Sequence, residues 1–405
     1  MSEVIEQVRA CLHCKNALCQ RHCPIKTNIP TVIQMAQDGL CDDAARILFD
    51  NNFMSAICGL ICDHGRQCYG NCVLNHKNNP VPFYQLEAQL SQQYLKALHV
   101  KAKESNDLSF AIVGAGPAGM AMAFKLAMKG CSVTLIDNHE QMGGVLRYGI
   151  PDFRLDKSLI DQYERILFEA GVKFVNNTIV DKDNVRIIQA QHDVLILAHG
   201  AWIGKQLDEK YHDMPNVFTA LDVLNQRLVF DRNAKVIVLG GGNVAMDVVR
   251  YMKRQCDNTQ LYYRKEIKDM PANKEEIDEM LNEGIHVEEL AAPLAFDEKG
   301  IIFAKGETIV DENGKKVTRI VENSEYHVKC DVIIQAISQQ VDSMLFKTLN
   351  LTLNKWGNVD AANHGVTSNA HVYVIGDALL GPKSVVDSMV SVNELVKVLE
   401  KRYGI

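Results

Sequence analysis

Residues 109–119 read Ser109-Phe-Ala-Ile-Val-Gly114-Ala-Gly116-Pro-Ala-Gly119, and this stretch decides the fold. Its first five residues form an apolar run that is typical of a buried parallel strand. The three glycines allow a tight turn, close approach of a pyrophosphate, and close packing of the next helix on the strand. Pro117 suits the first helical turn, where its missing N–H costs nothing. The stretch therefore predicts a strand–turn–helix that binds a dinucleotide at the helix N-terminus.

The next predicted strand, residues 131–136, ends at Asp137, which lies 23 residues after Gly114. A carboxylate at this place can accept hydrogen bonds from the ribose hydroxyls of a bound dinucleotide. The strand, the glycine loop, the helix and the acidic residue thus occur in the expected order and spacing, which makes the fingerprint more specific than its glycines alone. The residues assigned to this first site are Gly114, Gly116, Pro117, Ala118, Gly119 and Asp137.

A second fingerprint follows a second apolar run. The predicted strand Lys235-Val-Ile-Val-Leu239 leads into Gly240-Gly-Gly242-Asn-Val-Ala245, in which alanine is the permitted third small residue. The predicted strand at 259–263 then ends in Arg264-Lys265 instead of an acid. A guanidinium binds a 2′-phosphate bidentately, so the pair favours NADPH over NADH, although an exposed basic pair at a strand end is also common. The residues assigned to this second site are Gly240, Gly242, Asn243, Val244, Ala245, Arg264 and Lys265.

Nine of the twelve cysteines lie within the first 72 residues. The first group, Cys11-x2-Cys14-x4-Cys19-x3-Cys23-Pro24, is close to the bacterial run in which the cysteine before proline serves the second of two iron–sulfur clusters. The second group reads Cys58-x3-Cys62-x5-Cys68-x3-Cys72. Zinc is the chemical alternative, but it needs a closed tetrahedron for each ion and leaves the interleaved Cys-Pro pattern unexplained. An iron–sulfur region beside two dinucleotide sites indicates electron transfer.

The composition is that of an ordinary globular protein, with 405 residues, 47% hydrophobic and 23% charged residues, and a net charge of −7. The charge gives no reason to expect nucleic acid or a membrane surface as a partner. The acidic N-terminus lacks the apolar region of a signal peptide, and the apolar stretch at 111–124 is too short for a membrane span. Metal-bound thiolates suit a reducing compartment, so we expect a cytoplasmic protein.

From residue 11 to the C-terminus the chain resembles the small subunit of NADPH-dependent glutamate synthase and the flavin-binding N-terminal half of dihydropyrimidine dehydrogenase. Besides the glycine loops and the cysteine groups, the resemblance rests on Gly143-Gly-Val-Leu-Arg-Tyr-Gly-Ile-Pro-Asp-Phe-Arg154, on Met270-Pro-Ala272 just after Arg264-Lys265, and on Gly376-Asp377. It implies that the first site binds FAD. No catalytic acid or base is assigned, because the hydride passes between cofactors.

The resemblance also implies further cofactor contacts. The helix that would start at Ser384 points its positive end toward the flavin, where it favours the reduced, anionic form. The added FAD contacts are Gly143, Gly144, Val145, Arg154, Gly376, Asp377, Ser384 and Val385, and the added NADPH contacts are Ala336 and Ser338.

Two [4Fe–4S] clusters are implied by the same resemblance. Carried over position by position, the first would be held by Cys11, Cys14, Cys19 and Cys72, and the second by Cys23, Cys62, Cys68 and Glu87. From spacing alone, Cys58 competes with Glu87 and would give eight thiolates. We favour Glu87, which leaves Cys41 and Cys58 as spare thiols.

Three positions depart from the family pattern. His199 stands where the family has Thr, Ser338 where it has Gly, and Ser391-Val392 where it has smaller residues. These positions surround the flavin–nicotinamide contact in the family, so cofactor affinity or hydride geometry is expected to differ. His199 has no evident base partner and is interpreted as structural.

The predicted fold class is α/β, with a helical iron–sulfur domain followed by two doubly wound dinucleotide-binding domains, the second inserted into the first. We expect helices at 29–38, 42–52 and 83–101. The expected domains are 1–104 for two [4Fe–4S] clusters, 105–205 with 330–405 for FAD, and 206–329 for NADPH.

The predicted function is that of an electron-input flavoprotein subunit. It would oxidise NAD(P)H on FAD and pass single electrons through the two clusters to a partner subunit or carrier. One alternative is a stand-alone NAD(P)H-dependent flavin reductase, but the type related to thioredoxin reductase needs a Cys-x-x-Cys in the nucleotide domain, where Cys256 and Cys330 stand alone. The alternative from another class is a regulatory protein that binds zinc and nucleotides without turnover.

Overall fold

The computed structural model describes residues 2–312, 314, 316–360 and 364–405. The chain divides into two compact units. The first runs to Arg147 and continues over Asp152–Ala201 and Val341–Ile405, and the second comprises Tyr148–Pro151 and Trp202–Gln340. The second unit is therefore inserted into the first.

The beginning of the first unit is helical. Its helices are α1 (Ser2–Val8), α2 (Leu18–His22), α3 (Ile29–Gln37), α4 (Cys41–Asn51), α5 (Ser55–Ile61) and α6 (Phe83–Ala97), with a 3₁₀ helix at Val73–Lys77. The helices α3, α4 and α6 match three predicted ones, although α6 ends four residues before the expected 101. Their inner faces form one core, in which Ile33, Leu48 and Leu86 are almost fully buried. Most of the cysteines of this part lie at helix ends or in the connecting segments.

The first unit then alternates strands and helices. These are β1 (Ser109–Val113), α7 (Pro117–Ala127), β2 (Ser132–Ile136), α8 (Val145–Tyr148), α9 (Ser158–Glu169), β3 (Lys173–Val175), α10 (Val185–Ala190) and β4 (Val194–Leu197). Each follows the local sequence signal: β1 is apolar and buried, and Pro117 opens α7 as expected.

The second unit holds a second α/β sheet and a separate antiparallel sheet. Its elements are β5 (Ile203–Gly204), β6 (Val217–Thr219), α11 (Ala220–Asn225), β7 (Lys235–Leu239), α12 (Asn243–Lys253), β8 (Asn258–Tyr262), α13 (Lys274–Asn282), β9 (His286–Glu288), β10 (Ala291–Asp297), β11 (Gly300–Val310), β12 (Lys316–Lys329), β13 (Val332–Gln335) and β14 (Gln339–Gln340), with 3₁₀ helices at Glu209–Tyr211 and Ile267–Asp269. The parallel sheet has the order β6-β13-β7-β8-β9, and β10-β11-β12 form the antiparallel one. The short strands β5 and β14 pair where the chain enters and leaves the unit.

The chain returns to the first unit through α14 (Met344–Thr348), β15 (Val372–Val374), α15 (Asp377–Leu380) and α16 (Val385–Tyr403). The strand β15 completes a parallel sheet of order β15-β4-β1-β2-β3. The strand order changes direction at β1, and in the second unit it changes at β7. Crevices at the carboxyl ends of such strands are where open α/β sheets bind ligands.

Aromatic side chains join the helical part of the first unit to its sheet part. Phe53, which follows α4, lies 4.9 Å from Phe124 of α7 and 5.0 Å from Tyr163 of α9, measured between ring centroids. All three are buried, with Phe53 and Tyr163 almost fully so. The helical part is thus packed on the first dinucleotide-binding fold by apolar contact, which places the cysteines beside that fold.

The predicted fold class is confirmed: a helical N-terminal region precedes two Rossmann-like folds, one inserted into the other. Within the part of the chain that the structure describes, none of the helices is both long and apolar enough to span a bilayer.

Candidate functional site

The first glycine loop is held by contacts that leave no room for side chains. Gly114 has a φ of +106°, and a Cβ there would lie 2.4 Å from the carbonyl oxygen of Ala198. A Cβ on Gly119 would lie 1.9 Å from the carbonyl oxygen of Gly114, so the helix α7 packs directly on the turn. At Gly116 a Cβ would meet only Gly144, at 3.8 Å. The turn is therefore tight at its base and open at its middle glycine, where a pyrophosphate can approach.

Asp137 stands at the end of β2 and faces this loop. Its Oδ2 accepts a hydrogen bond of 2.6 Å from the Ala115 amide, and its Oδ1 accepts one of 2.9 Å from the His139 amide. The ring Nδ1 of His139 lies 2.8 Å from the same Oδ1. Oδ2 has a second lone pair, so the carboxylate can still accept a hydrogen bond from a ribose while it holds the loop in place.

A second loop, at Gly143-Gly144, packs against the first glycine loop. The Gly143 amide donates to the carbonyl of Ala115 at 2.8 Å, and a Cβ on Gly144 would lie 2.6 Å from the Cα of Gly116. Both glycines have positive φ, +130° and +50°. Val145 begins α8 directly after them, and Arg154 lies half-buried between α8 and α9. The structure thus brings together two glycine pairs that are separated in sequence.

The third segment of this site comes from the end of the chain. Gly376 has a φ of +62°, and a Cβ there would lie 2.7 Å from the Cβ of Ala118. The Gly376 amide donates to Ser391 Oγ at 2.9 Å. Burial raises the pKa of the neighbouring Asp377 to about 7. The Gly376-Asp377 turn therefore lies against the N-terminal turn of α7. Together with the loop at 114–119 and Gly143-Gly144, it forms the third segment of a predicted flavin cradle.

The helix α16 begins with a capping box. Ser384 and Asp387 bond each other's backbone amides, so the Ser384 hydroxyl is engaged in capping the helix. Val385 is the first residue of the helix, and its amide lies among the unpaired N–H groups that give a helix N-terminus its positive character.

His199 follows β4 and contacts the ring of Phe346 at 5.4 Å between ring centroids. Its Nε2 lies 3.2 Å from the carbonyl oxygen of Asp342, while its buried Nδ1 has no hydrogen-bond partner among the described residues. Burial lowers the pKa of the imidazole, so the neutral ring donates from Nε2 and leaves Nδ1 as an acceptor. An orphaned buried acceptor beside the first glycine loop fits a site that a polar ligand completes.

The second glycine loop has the same form in the inserted unit. Gly240 has a φ of +148°, and a Cβ there would lie 2.3 Å from the carbonyl oxygen of Ala336. Gly242 caps α12, and a Cβ there would meet nothing within 4 Å. Val244 is half-buried and Ala245 is fully buried. The open side of this loop, at Gly242, again leaves space for a phosphate at a helix N-terminus.

The strand β8 ends at Tyr262, and Tyr263, Arg264 and Lys265 follow it in that order. Arg264 is exposed and makes no ion pair with any described residue, whereas Lys268 is bound to Glu266 at 2.8 Å. Arg264 is thus available for a phosphate, and Lys268 is neutralised.

Residues that the sequence did not single out support this loop. Tyr263 packs so closely on the loop that a Cβ on Gly241 would lie 2.5 Å from its ring. Asn273, which is buried, exchanges hydrogen bonds of 2.8 and 3.2 Å with Asn243. The Asn243 side chain therefore ties the loop to the segment after Met270-Pro-Ala272. The sequence around Asn243 or Asn273 does not predict this pairing, because the two residues are 30 positions apart.

Ser338 has a φ of +152°, a backbone conformation that favours glycine. Its carbonyl accepts a hydrogen bond of 3.0 Å from the Lys205 amide, which fixes this conformation. The position at which the sequence departs from the family glycine is thus a strained one.

Five of the predicted cluster ligands line a single cavity. They are the four of the first set, Cys11, Cys14, Cys19 and Cys72, and Cys68 of the second set, together with apolar side chains that include Leu12 and Leu18. Burial raises the pKa of the Cys19 thiol to about 11, and the neighbouring Cys72, Cys11 and Cys14 raise it further against the effect of the Gln20 amide. The pKa of Cys11 is raised in the same way by burial and by Cys14 and Cys72.

A second set forms around Glu87, which is only 8% exposed. Burial raises the pKa of the Glu87 carboxyl to about 8. After burial, this carboxyl is the largest influence that raises the pKa of Cys68, and it also raises those of Cys23 and Cys62. Cys58 interacts with Cys62 through a thiol hydrogen bond, which is the main cause of the raised pKa of Cys62. The carboxyl of Glu87 thus influences the pKa of all three thiols of its predicted set.

These donors fit iron–sulfur clusters better than zinc. Among the residues that the structure describes, no three His, Cys, Asp or Glu side chains converge closely enough to hold one metal ion. Zinc requires four ligands around a single ion, whereas the ligands of a [4Fe–4S] cluster surround a larger group. Burial and the neighbouring cysteines disfavour the thiolate form of these side chains. A bound metal group stabilises the thiolate form by coordinating the sulfur atoms.

Comparison with known proteins gives two family matches. The pyridine nucleotide-disulphide oxidoreductase family matches residues 108–391. The family described as dihydropyrimidine dehydrogenase domain II, 4Fe-4S cluster, matches residues 1–98.

Individual relatives agree with these matches. The chain is 30% identical to the glutamate synthase [NADPH] small chain of Azospirillum brasilense, over 94% of this chain and 85% of that protein. It is also 30% identical to the putative oxidoreductase AegA of Escherichia coli K12, over 94% of this chain and 62% of that protein. The structure of Mycobacterium tuberculosis FprA in complex with NADPH is similar in fold, with a TM-score of 0.60 at 16% identity over 73% of this chain and 85% of FprA.

The predicted resemblance is confirmed, and the protein is an oxidoreductase that uses FAD, a pyridine nucleotide and iron–sulfur chemistry. The chain belongs to the glutamate synthase small-chain family of pyridine nucleotide-disulphide oxidoreductases.

Proposed function

We propose that this chain is an electron-input subunit, which oxidises NADPH on FAD and passes electrons singly through two [4Fe–4S] clusters to a partner subunit or carrier. When bound, FAD accepts two electrons as a hydride and can release them one at a time to clusters that carry single electrons. The observation that supports the proposal is that Cys11, Cys14, Cys19 and Cys72 line one cavity, together with Cys68, while the buried carboxyl of Glu87 raises the pKa of Cys23, Cys62 and Cys68.

In this proposal residues 1–104 hold the clusters, 105–205 and 330–405 hold FAD, and 206–329 hold NADPH. The open face at Gly116 and the N-terminus of α7 would receive the FAD pyrophosphate, and Asp137 would receive the ribose. Asp377 and the N-terminus of α16 would contact the remainder of the flavin. These groups orient the cofactor, and the buried loops around them exclude water from it.

In the inserted unit, Gly242 and the N-terminus of α12 would receive the NADPH pyrophosphate, and Arg264 with Lys265 the 2′-phosphate. The free charge of Arg264 supports NADPH over NADH. Ala336 and Ser338 would border the nicotinamide end, as the family pattern implies.

Cys11, Cys14, Cys19 and Cys72 would hold the first cluster, and Cys23, Cys62, Cys68 and Glu87 the second. Glu87 is preferred to Cys58 as the last ligand because its carboxyl is among the main influences on the pKa of Cys23, Cys62 and Cys68, whereas Cys58 is the main influence on Cys62. A carboxylate ligand is harder than a thiolate, so the two clusters would differ in potential.

A partner is proposed on two grounds. The Azospirillum relative is named as a small chain, which makes that protein one part of an assembly. In the present chain, the two family matches together cover residues 1–98 and 108–391 and account for cofactor binding. We therefore place the substrate-reducing site on another protein.

The test is to measure iron and visible spectra of anaerobically purified protein. The wild type should contain about eight irons and show flavin bands above a broad cluster absorbance that NADPH bleaches. Cys19→Ser and Cys62→Ser should each lose about four irons, because each removes a ligand of one cluster.

Cys58→Ser is the matched control, since it removes a buried thiol from the same region and should keep about eight irons. A colourless protein that contains zinc and no flavin would overturn the proposal. If Cys58→Ser lost one cluster and Glu87→Ala did not, the fourth ligand of the second cluster would be Cys58 and not Glu87.

A further inference from the structure

The segments that line the cavity of Cys11, Cys14, Cys19 and Cys72 are unusually basic. Most of the lining residues lie within residues 11–30 and 72–83. With the adjoining Arg9, these segments carry five cationic residues, Arg9, Lys15, Arg21, Lys26 and Lys77, and no aspartate or glutamate. The whole chain has a net charge of −7, so these segments are basic within an acidic protein.

The cations are exposed and mostly unneutralised. All five are exposed, and only Arg9 forms an ion pair with a described residue, Glu6, at 2.9 Å. Lys15 directly follows Cys14, and Arg21 is two residues from both Cys19 and Cys23, so both cations are adjacent to predicted cluster ligands in sequence. Such a concentration of one sign of charge attracts a partner of the opposite sign over roughly a Debye length, about 10 Å at ~0.1 M salt.

Apolar side chains are exposed at the same place. Leu12 is 62% exposed and Leu18 is 37% exposed, and both line the cavity. Exposed leucines surrounded by charged residues are typical of a protein interface, with its apolar centre and polar rim. A small anion would use the charges but would have no use for the leucines.

We propose that this surface, formed by Leu12, Lys15, Leu18, Arg21 and Lys77, docks an acidic protein that carries one electron at a time. The inference rests on the proposed function, since it names the chemistry of the partner that the first cluster would serve. For each NADPH oxidised, two oxidised carriers each gain one electron, and NADP⁺ and one proton are released, so charge and electrons balance.

The probe is an acidic Rieske-type [2Fe–2S] ferredoxin, whose potential makes it a downhill acceptor. Its binding to the full holoprotein is measured by calorimetric titration at low and high salt, and its NADPH-driven reduction is followed in parallel. The Lys15→Glu/Arg21→Glu variant should weaken binding at least tenfold at about 10 mM salt, and the deficit should fall below about twofold at ~0.5 M. Lys77→Glu should weaken binding severalfold, and Lys77 lies five residues from the nearest predicted ligand, Cys72.

The matched control is Lys299→Glu/Lys329→Glu, which makes the same change in net charge at exposed residues of the inserted unit. The control should bind the ferredoxin as the wild type does, and all variants should retain wild-type iron content. Equal binding by wild type and Lys77→Glu, or equal weakening in the control, would overturn the docking surface. Binding decides the docking surface whether or not NADPH bleaches the flavin, and the absence of bleaching would overturn the proposed function alone.

Discussion

The carboxylate of Asp137, at the end of β2, accepts a hydrogen bond of 2.6 Å from the amide of Ala115 in the first glycine loop. One side chain thus connects the ribose end of the predicted FAD site to its pyrophosphate end. The carboxylate is 9% exposed, so these hydrogen bonds are shielded from water.

Replacing Asp137 should weaken FAD binding in two ways, because it removes the hydrogen bond that holds the glycine loop and the acceptor for the ribose hydroxyls. Asp137→Ala removes every acceptor and should cost about 2 kcal/mol, roughly thirtyfold in Kd. Asp137→Asn keeps one acceptor oxygen and should cost less. Flavin fluorescence during titration of FAD-free protein measures both. Equal affinity in the alanine variant would show that the carboxylate does not organise the site.

Arg264→Ala should reduce the preference for NADPH. The loss of a charged hydrogen-bonding partner of the 2′-phosphate is worth about 2 kcal/mol, or roughly thirtyfold in kcat/KM for NADPH, with little change for NADH. Lys268→Ala is the control, because Lys268 is already paired with Glu266. Steady-state kinetics with both nucleotides measure the ratio. A loss of the same size for NADPH and NADH would contradict binding of the phosphate.

Ser338→Gly should stabilise the protein. Ser338 holds a φ of +152°, which glycine adopts without a steric penalty. Relief of this strain is worth on the order of 1 kcal/mol, less the added chain entropy of glycine in the unfolded state. Ser338→Val should do the reverse, because a β-branched side chain tolerates this region least. Thermal unfolding of FAD-free protein gives the order Gly, Ser, Val, and a valine variant more stable than the wild type would refute the strain.

Arg250 is the centre of a buried ion network in the inserted unit. It is 6% exposed and contacts Glu276 at 3.2 Å, Glu279 at 2.7 Å and Glu283 at 2.8 Å. Arg250→Met leaves these carboxylates without their common partner and should destabilise the unit by about 3 kcal/mol. Arg232→Met, which breaks an exposed pair with Asp257, should cost below about 1 kcal/mol. Urea unfolding measures both, and similar losses would contradict the role of burial.

Asp377 should make stability depend on pH. Burial raises its pKa from the usual 3.8 to about 7 in the folded chain, so the neutral form is favoured on folding. This contribution is fully present below pH 3.8 and is lost as the pH rises through 7. Asp377→Asn stays neutral, so the FAD-free variant should gain stability over the wild type between pH 4 and 8. An unchanged difference across that range would show that Asp377 is ionised throughout.

Local signals predict the elements of this fold well, and long-range contacts explain what remains. The strands at 109–113 and 235–239 were predictable because each is a mainly apolar run that ends at a glycine-rich turn, and Pro117 indicated the start of α7. The support of Gly376 by Ser391 and of Asn243 by Asn273 was not predictable, since each joins residues that are far apart in sequence or belong to separate elements. The sequence favoured Glu87 only by resemblance, because its orientation toward Cys23, Cys62 and Cys68 depends on how α6 packs.

The strand β15 lies at one edge of the first sheet, beside β4, and 174 residues separate the end of β4 at Leu197 from the start of β15 at Val372. During synthesis on the ribosome, the predicted cluster ligands through Glu87 emerge early, while Gly376 and α16 emerge near the end. At about 5–20 residues per second, the delay between β4 and β15 is roughly ten to thirty seconds. Throughout that interval the nascent chain has two of the three segments of its flavin cradle. Cofactor loading would therefore be ordered in time, with iron–sulfur assembly possible early on the growing chain and flavin capture possible only after Gly376 and α16 have emerged.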